Sequence, residues 1–433
     1  MTRFLFLLLY NLFLPLFLLV SLPGYVVKMR RRGGFGTGLS ERFGLYRRPA
    51  SEEPKGGLYV HAVSVGEVFI ALKFIREWLR AHPGESVVLA TATATGHEVI
   101  RKAALPEVRP LYAPLDVPGL SGRCLSRFQP RAVVLIEAEL WPNFAEVCHR
   151  RHIPLLMLNA RLSPRSERRY ARVRGVTRLL FSRLQAMGVQ NEKDAERFIG
   201  IGVNPDIIHV TGSIKFDVLG DKPSQKREDF QELLDKLREQ RPVVLAASTH
   251  AGEEALIARA AQQAGGCFPL IVPRHAERRE EVVRELEAAG FSPILRTAGQ
   301  LPSPLPASPC YIADTTGELR DWTALASVAV IGKSFLARGG QNPVEAIAAH
   351  VPVVVGPDMT NFADLVHLLK EARGIWSCQA EQLAETLKEI LENPAEAAAR
   401  CERAYAALHI HSGATRRSVE LTDSLSLHEK HPA

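Results

Sequence analysis

The chain has 433 residues, of which 46% are hydrophobic and 23% charged, with a net charge of +7 and a pI near 9.1. That length is enough for about two or three domains with ample core, and the charge suits nucleic acid, an anionic membrane surface or phosphorylated substrates. Six scattered cysteines with no C-x-x-C pair indicate neither a disulfide framework nor a zinc site, and they point to a reducing compartment.

The first predicted element is an anchor. Phe4 to Leu22 is uncharged and broken only by Asn11 and Pro15, and at about 19 residues it is just long enough to cross a bilayer. Lys28, Arg30, Arg31 and Arg32 follow it, with no A-x-A-like cleavage site. Those charges belong on the cytoplasmic side, so the rest of the chain is expected in the cytoplasm. A monotopic helix that dips into one leaflet satisfies the same residues. The next stretch, to residue 57, interleaves Phe35, Leu39, Phe43 and Tyr46 with Arg42, Arg47 and Arg48. It reads equally as a neck along the headgroups or as a solvated linker.

From Leu58 onward strands and helices alternate. Leu58 to Val63 is an apolar run, Ser64 to Gly66 a small-residue turn, and a helix then opens with Val68, Leu72, Ile75 and Leu79 on one stripe. Glu67 sits at the start of that helix and at the carboxyl end of a strand. The first position suits an acid that stabilises the helix dipole, the second a ligand site; position alone favours the first. Ser86–Thr91, Ala132–Glu137 and Ile153–Leu158 read as further strands of a parallel sheet covered on both faces. A polar linker follows over 219–240. Strands resume at Pro242–Ser248, Phe268–Val272, Cys310–Asp314, Ser327–Ile331 and Pro352–Gly356, with a long helical pattern at about 380 to 408. The simplest architecture is two doubly wound α/β domains facing each other across a cleft.

Polar residues gather after the strands. Glu137 and Glu139 stand at the carboxyl end of one strand. Arg161 and Arg165 follow another and suit an anion, while Arg168, Arg169, Arg172 and Arg174 read as a solvated helix face. Lys215 lies beside small residues in Thr211–Asp217. Ser248-Thr249-His250, Pro273-Arg274-His275, Thr316-Gly317-Glu318 and Gly339 to Glu345 all fall after a strand or at a helix start. Together they describe a nucleotide site at one sheet edge, with Glu345 as an acceptor for ribose hydroxyls.

Several of these motifs, in this order, resemble the 3-deoxy-D-manno-octulosonic acid (Kdo) transferases that act on lipid A precursors. The resemblance runs through LSERFGLY, HAVSVGE, IEAELWPN, NARLSPRS, QNEKDAERF, TGSIKFD, STHAGEE, VPRH, TGEL and RGGQNPVEA. Gly332-Lys333-Ser334 departs from a Gly-Gly-Ser pattern. The resemblance implies a GT-B fold: an anchor at 1–24, a neck at 25–57, an acceptor-binding Rossmann-like domain at 58–218 and a donor-binding one at 241–433. It implies CMP-Kdo as donor, a lipid A precursor as acceptor, inversion, no cofactor and no essential metal, an inner-membrane location and no nucleic acid. By motif match Glu67 is the general base, Glu137 and Lys215 stabilise the transition state, and Pro273, Arg274, Thr316, Gly317, Glu318, Asn342, Pro343, Val344 and Glu345 bind CMP. Another GT-B sugar-nucleotide enzyme, or a non-catalytic membrane-anchored binder of anionic lipid, are the competing readings.

Overall fold

A computed structural model describes residues 3–15, 38–137, 140–217 and 227–426. The chain divides into two compact units. The first comprises Met1–Asp217 and Gly413–Ala433, the second Val218–Ser412.

Unit 1 is built on seven parallel strands: β1 (Leu58–His61), β2 (Val87–Thr91), β3 (Val108–Tyr112), β4 (Ala132–Ile136), β5 (Leu155–Ala160), β6 (Ala186–Val189) and β7 (Ile208–Val210), in the order β3-β2-β1-β4-β5-β6-β7. Successive side chains point to opposite faces, so a strand buried on both sides reads as an unbroken apolar run. Thus Leu58 and Val60 join Ala132, Val134 and Ile136 in one core layer, and Tyr59 joins Val133 and Leu135 in the other. The Val65–Ala81 helix covers the first layer with Val68, Leu72, Ile75 and Trp78. Emptying the fully buried Trp78 site by substitution with alanine would cost about 3–5 kcal/mol.

Unit 2 repeats the plan with β8 (Val243–Thr249), β9 (Phe268–Pro273), β10 (Ser292–Leu295), β11 (Pro309–Ile312), β12 (Val328–Ile331), β13 (Val353–Val355) and β14 (Trp376–Ser377), in the order β10-β11-β9-β8-β12-β13-β14. In each sheet the chain starts in the middle, fills one side, then returns to the other side of its first strand; in the second sheet β11 inserts between β9 and the outer β10. The crevices where this reversal happens lie at the carboxyl ends of β1 and β4, and of β8 and β12. In such sheets that is where ligands bind.

Three sequence expectations change. The 219–240 linker contains the Glu228–Arg238 helix, whose Phe230, Leu234 and Leu237 are buried; their i, i+4, i+7 spacing makes one apolar stripe. The region 241–433 does not stay in one unit. Its last helix, Ala414–Ser426, lies in unit 1, with Val419 in the core layer covered by Val65–Ala81. Asp217 fixes this return, accepting hydrogen bonds from Gly413 N (2.9 Å), Thr415 N (2.8 Å) and Thr415 Oγ1 (2.5 Å).

The third change concerns the neck, of which residues 38–57 are described. This part is built into unit 1: Arg109 of β3 pairs with Glu41 (3.0 Å) and buried Glu53 (2.9 Å), and Tyr46 sits edge-on to Phe128.

The anchor expected at 1–24 falls only partly within the described residues. Residues 3–15 are helical, and residues 16–37 lie outside the described part. Among the described residues no helix is long and apolar enough to cross a membrane. Its polar residues are tied to unit 1: Arg3 Nε to Glu146 (2.7 Å), Tyr10 to Asp116 (3.0 Å), and Asn11 to Asn143 in both directions. Phe4, Leu8, Leu12 and Phe13 are left exposed.

Candidate functional site

Glu67 opens the Val65–Ala81 helix immediately beyond β1. Ser64 is the N-cap and its hydroxyl accepts from Glu67 N at 3.2 Å, while Glu67 Oε2 accepts from Val63 N at 2.8 Å. A serine followed three residues later by a glutamate is a capping-box spacing, and here the carboxylate reaches back beyond the cap. The helix-start role is therefore real. Glu67 is buried, at 8% exposure.

Glu137 follows β4, the neighbour of β1, so both acids stand at the same crevice. Its backbone is left-handed, with φ of 63°, and its N–H donates to Leu158 O at 2.9 Å. Glu139 lies outside the described residues.

Asn159, near the end of β5, is also left-handed (φ 57°) and fully buried. Its Oδ1 accepts from Ile214 N at 2.9 Å and from Ser213 Oγ at 3.4 Å. Lys73, two turns along the helix that Glu67 opens, donates to Ile214 O (2.9 Å) and to Asp217 O. Between them these two side chains hold the turn that carries exposed Lys215. Burial lowers the Lys73 ammonium from its ordinary range, and Asp217 opposes that shift. The structure thus brings Glu67, Glu137 and Lys215 to the carboxyl edge of one sheet, on supports that run between them.

Two further residues were not singled out from sequence. His61 ends β1, packs edge-on to Trp141 at 4.6 Å, and has neither ring nitrogen hydrogen-bonded. Burial lowers it to about 4, so the imidazole is neutral near pH 7. Asp116 caps the Pro142–Arg150 helix, accepting from Asn143 N (3.0 Å) and Phe144 N (2.8 Å). Burial raises it to about 6 in spite of those bonds. No local pattern announces a cap donated from so far along the chain. Arg161 and Arg165 are exposed, and Arg165, Arg168, Arg169 and Arg172 line an open groove of about 410 Å³. A larger groove of about 790 Å³, lined by Arg174, Arg178 and Pro205, lies where chain enters β6 and β7, at the edge opposite the two acids.

In unit 2, Pro273 is buried as the last residue of β9 and Arg274 is exposed after it, its N–H bonded to Thr249 O at 3.1 Å. Beyond β11, Thr316 and Gly317 are exposed, and Gly317 has φ of 90°. Burial pushes the Glu318 carboxyl up, but hydrogen bonds from Thr315 and Arg296 outweigh it and hold the group below its ordinary range. Asn342 Oδ1 accepts from Val344 N at 3.2 Å, which shapes the helix start at Pro343, and Glu345 is exposed in the first turn of the Val344–Ala348 helix.

The tightest polar cluster surrounds Glu253, which is fully buried. Its Oε2 accepts from His250 N (3.0 Å) and Lys333 N (2.6 Å), and its Oε1 from Ser334 N (3.0 Å), Phe335 N (3.1 Å) and Leu336 N (3.4 Å). This locks the turn after β12 onto the turn after β8. Among the described residues no group of three or more His, Cys, Asp or Glu is arranged to hold a metal ion.

The chain is similar to known proteins. The family described as 3-deoxy-D-manno-octulosonic-acid transferase (kdotransferase) matches residues 37–218. The chain is 32% identical to the 3-deoxy-D-manno-octulosonic acid transferase of Haemophilus influenzae, over 88% of this chain and 90% of that one. It is 33% identical to the Bordetella pertussis enzyme of the same name, over 91% and 93%. Among solved structures, the C-terminal CMP-Kdo binding domain of WaaA from Acinetobacter baumannii is 31% identical. That match covers 42% of this chain and 96% of that domain, with a TM-score of 0.38.

Proposed function

The chain belongs to the 3-deoxy-D-manno-octulosonic acid transferase family and is a glycosyltransferase, and from that premise we propose that it moves Kdo from CMP-Kdo to the 6-hydroxyl of a lipid A precursor, lipid IVA, with inversion. The observation that carries this reading is the identity of 32% and 33% to two such transferases over most of the chain.

Glu67 takes the proton of the acceptor hydroxyl as that oxygen attacks the anomeric carbon of Kdo. The bond to the CMP phosphate breaks, and CMP leaves with the electron pair. A base at this step contributes typically about 100- to 10,000-fold in rate. Two features support Glu67. It stands at the reversal point of the first sheet, and a second acid, Glu137, is held at the same crevice in a backbone conformation few non-glycine residues adopt. Lys215 supplies positive charge for the oxyanions that develop as the bond to phosphate breaks.

Donor binding falls to unit 2, where Arg274, Thr316–Glu318 and Asn342–Glu345 all follow a strand or open a helix. The GT-B assignment belongs to the same proposal, as does catalysis without a cofactor or an essential metal. So does an inner-membrane location with the catalytic units in the cytoplasm. Exposed Phe4, Leu8, Leu12 and Phe13 are suited to contact lipid.

The test is mass spectrometry of lipid IVA after incubation with the full chain and CMP-Kdo. Addition of Kdo mass with release of CMP supports the reading. No addition, with transfer from a UDP-sugar instead, replaces it with another sugar-nucleotide enzyme.

A further inference from the structure

At the end of β12 a lysine occupies a conformation that suits glycine. Lys333 has φ of 57°, which disfavours most residues with a Cβ. Such strain persists only where the surroundings over-determine it, and it concentrates at functional positions. The surroundings here are explicit. Lys333 N donates to Glu253 at 2.6 Å, Lys333 O accepts from Gly340 N at 2.8 Å, and the next three amides also reach Glu253. The turn is fixed, and it projects a lysine from a place where glycine would sit without strain.

The place is the reversal crevice of the second sheet. His250, after β8, and Lys333, after β12, donate their backbone N–H groups to the same oxygen, Glu253 Oε2. The strand ends are drawn so close that a Cβ on Gly332 would lie 2.5 Å from Ser248 O. The His250 ring has a buried Nδ1 with no hydrogen-bond partner. Burial and the nearby Lys333 charge both lower its basicity. Lys333 is half-buried, and among the described residues its ammonium pairs with no carboxylate. Glu253, whose charge partly offsets the lowering at His250, already accepts five backbone amides. Beside His250 stand a cation and a buried ring nitrogen, and among the described residues no ion pair joins that cation to a carboxylate of the chain.

We propose that Lys333, with His250, binds one oxyanion of the donor at the β8/β12 crevice. The inference rests on the reading that unit 2 holds CMP-Kdo. Two groups of that donor share the chemistry: the nucleotide phosphate and the carboxylate of the sugar acid.

The experiment compares wild type with Lys333→Gly and Lys333→Arg in the full chain. Calorimetry gives affinity for CMP and for cytidine, and lipid IVA assays give KM for CMP-Kdo. Glycine removes the cation and relieves the backbone, so the melting temperature should hold or rise while donor binding falls. Losing one charge-assisted contact corresponds to roughly ten- to hundredfold. If the phosphate is the anion, CMP affinity falls by that factor and cytidine affinity does not. If the carboxylate is the anion, CMP affinity is unchanged and KM for CMP-Kdo rises instead. Arginine should stay close to wild type in either case. Should glycine loosen the turn, as seen by a lower melting temperature, Lys333→Asn tolerates the same backbone and answers the same question. Wild-type values for both CMP affinity and KM in the glycine or asparagine variant overturn the proposal while leaving Kdo transfer intact. A wild-type protein that neither binds CMP nor transfers Kdo fails at the donor reading itself, and this inference falls with it.

Discussion

Replacing Glu67 by glutamine separates its two roles. The glutamine oxygen can still accept from Val63 N, where the carboxylate now does so at 2.8 Å, and Ser64 Oγ still caps the helix at 3.2 Å from the backbone N of residue 67. What is lost in stability is the difference between a charged and a neutral acceptor, plus the dipole interaction, together about 1–2 kcal/mol. What is lost in chemistry is the base, about 100- to 10,000-fold in transfer rate. Glu67→Ala loses the contact to Val63 as well, so it should be less stable than the glutamine variant yet equally inactive. Thermal melting, CMP calorimetry and Kdo transfer to lipid IVA would be measured on all three proteins. We expect folded variants that bind CMP like wild type and transfer almost nothing. If glutamine transfers at close to the wild-type rate while alanine does not, Glu67 matters only as a helix-start acid. If both are inactive because they unfold, the reasoning fails in the same way.

Three other outcomes follow. His61 titrates near 4 when folded against 6.5 ordinarily, so its contribution to stability is complete above 6.5 and is lost as pH falls through 4. Urea melts at pH 7 and pH 4 should show a loss of about 2–3 kcal/mol that His61→Phe largely removes; equal losses in the two proteins would refute this. Arg274→Ala should weaken CMP binding by roughly ten- to hundredfold, and unchanged calorimetry would take Arg274 out of the donor site. Deleting residues 1–24 removes the Arg3, Tyr10 and Asn11 contacts. Glu146 keeps Arg150 and Arg183, so circular dichroism should show a folded body with a lower melting temperature. An insoluble or unfolded product would mean the segment is not separable.

The central strands were legible because burial on both faces leaves them no polar positions. β3 was missed because Arg109 and Pro110 interrupt it, and β7 because a three-residue edge strand with exposed residues carries no pattern. The Glu228–Arg238 helix was hidden by its charges, although Phe230, Leu234 and Leu237 marked its buried side. At the site, Glu67, Glu137 and Arg274 could be placed at strand ends from sequence alone. The left-handed backbones of Glu137, Asn159, Ser248 and Lys333 could not, because none is glycine and φ is set by tertiary contacts such as Gly340 N to Lys333 O. Asp116 and Glu253 were invisible for a related reason. Their partners arrive from other loops, and no local spacing records a bond across the fold.

The return of the Ala414–Ser426 helix to unit 1 sets an order of events during synthesis. Unit 2, residues 218–412, is continuous and can close as soon as it has emerged. Unit 1 cannot, since Val419 and the flanking Leu421 and Leu425 come last and cover its core. At about 5–20 residues per second, the Val65–Ala81 helix waits on the order of 20–70 s for its lid, with apolar surface bare beside the ribosome. The nascent chain should therefore engage holding chaperones through its first unit, not its second. A stop codon after residue 412, or a bulky fusion placed there, should cripple the half of the protein translated earliest.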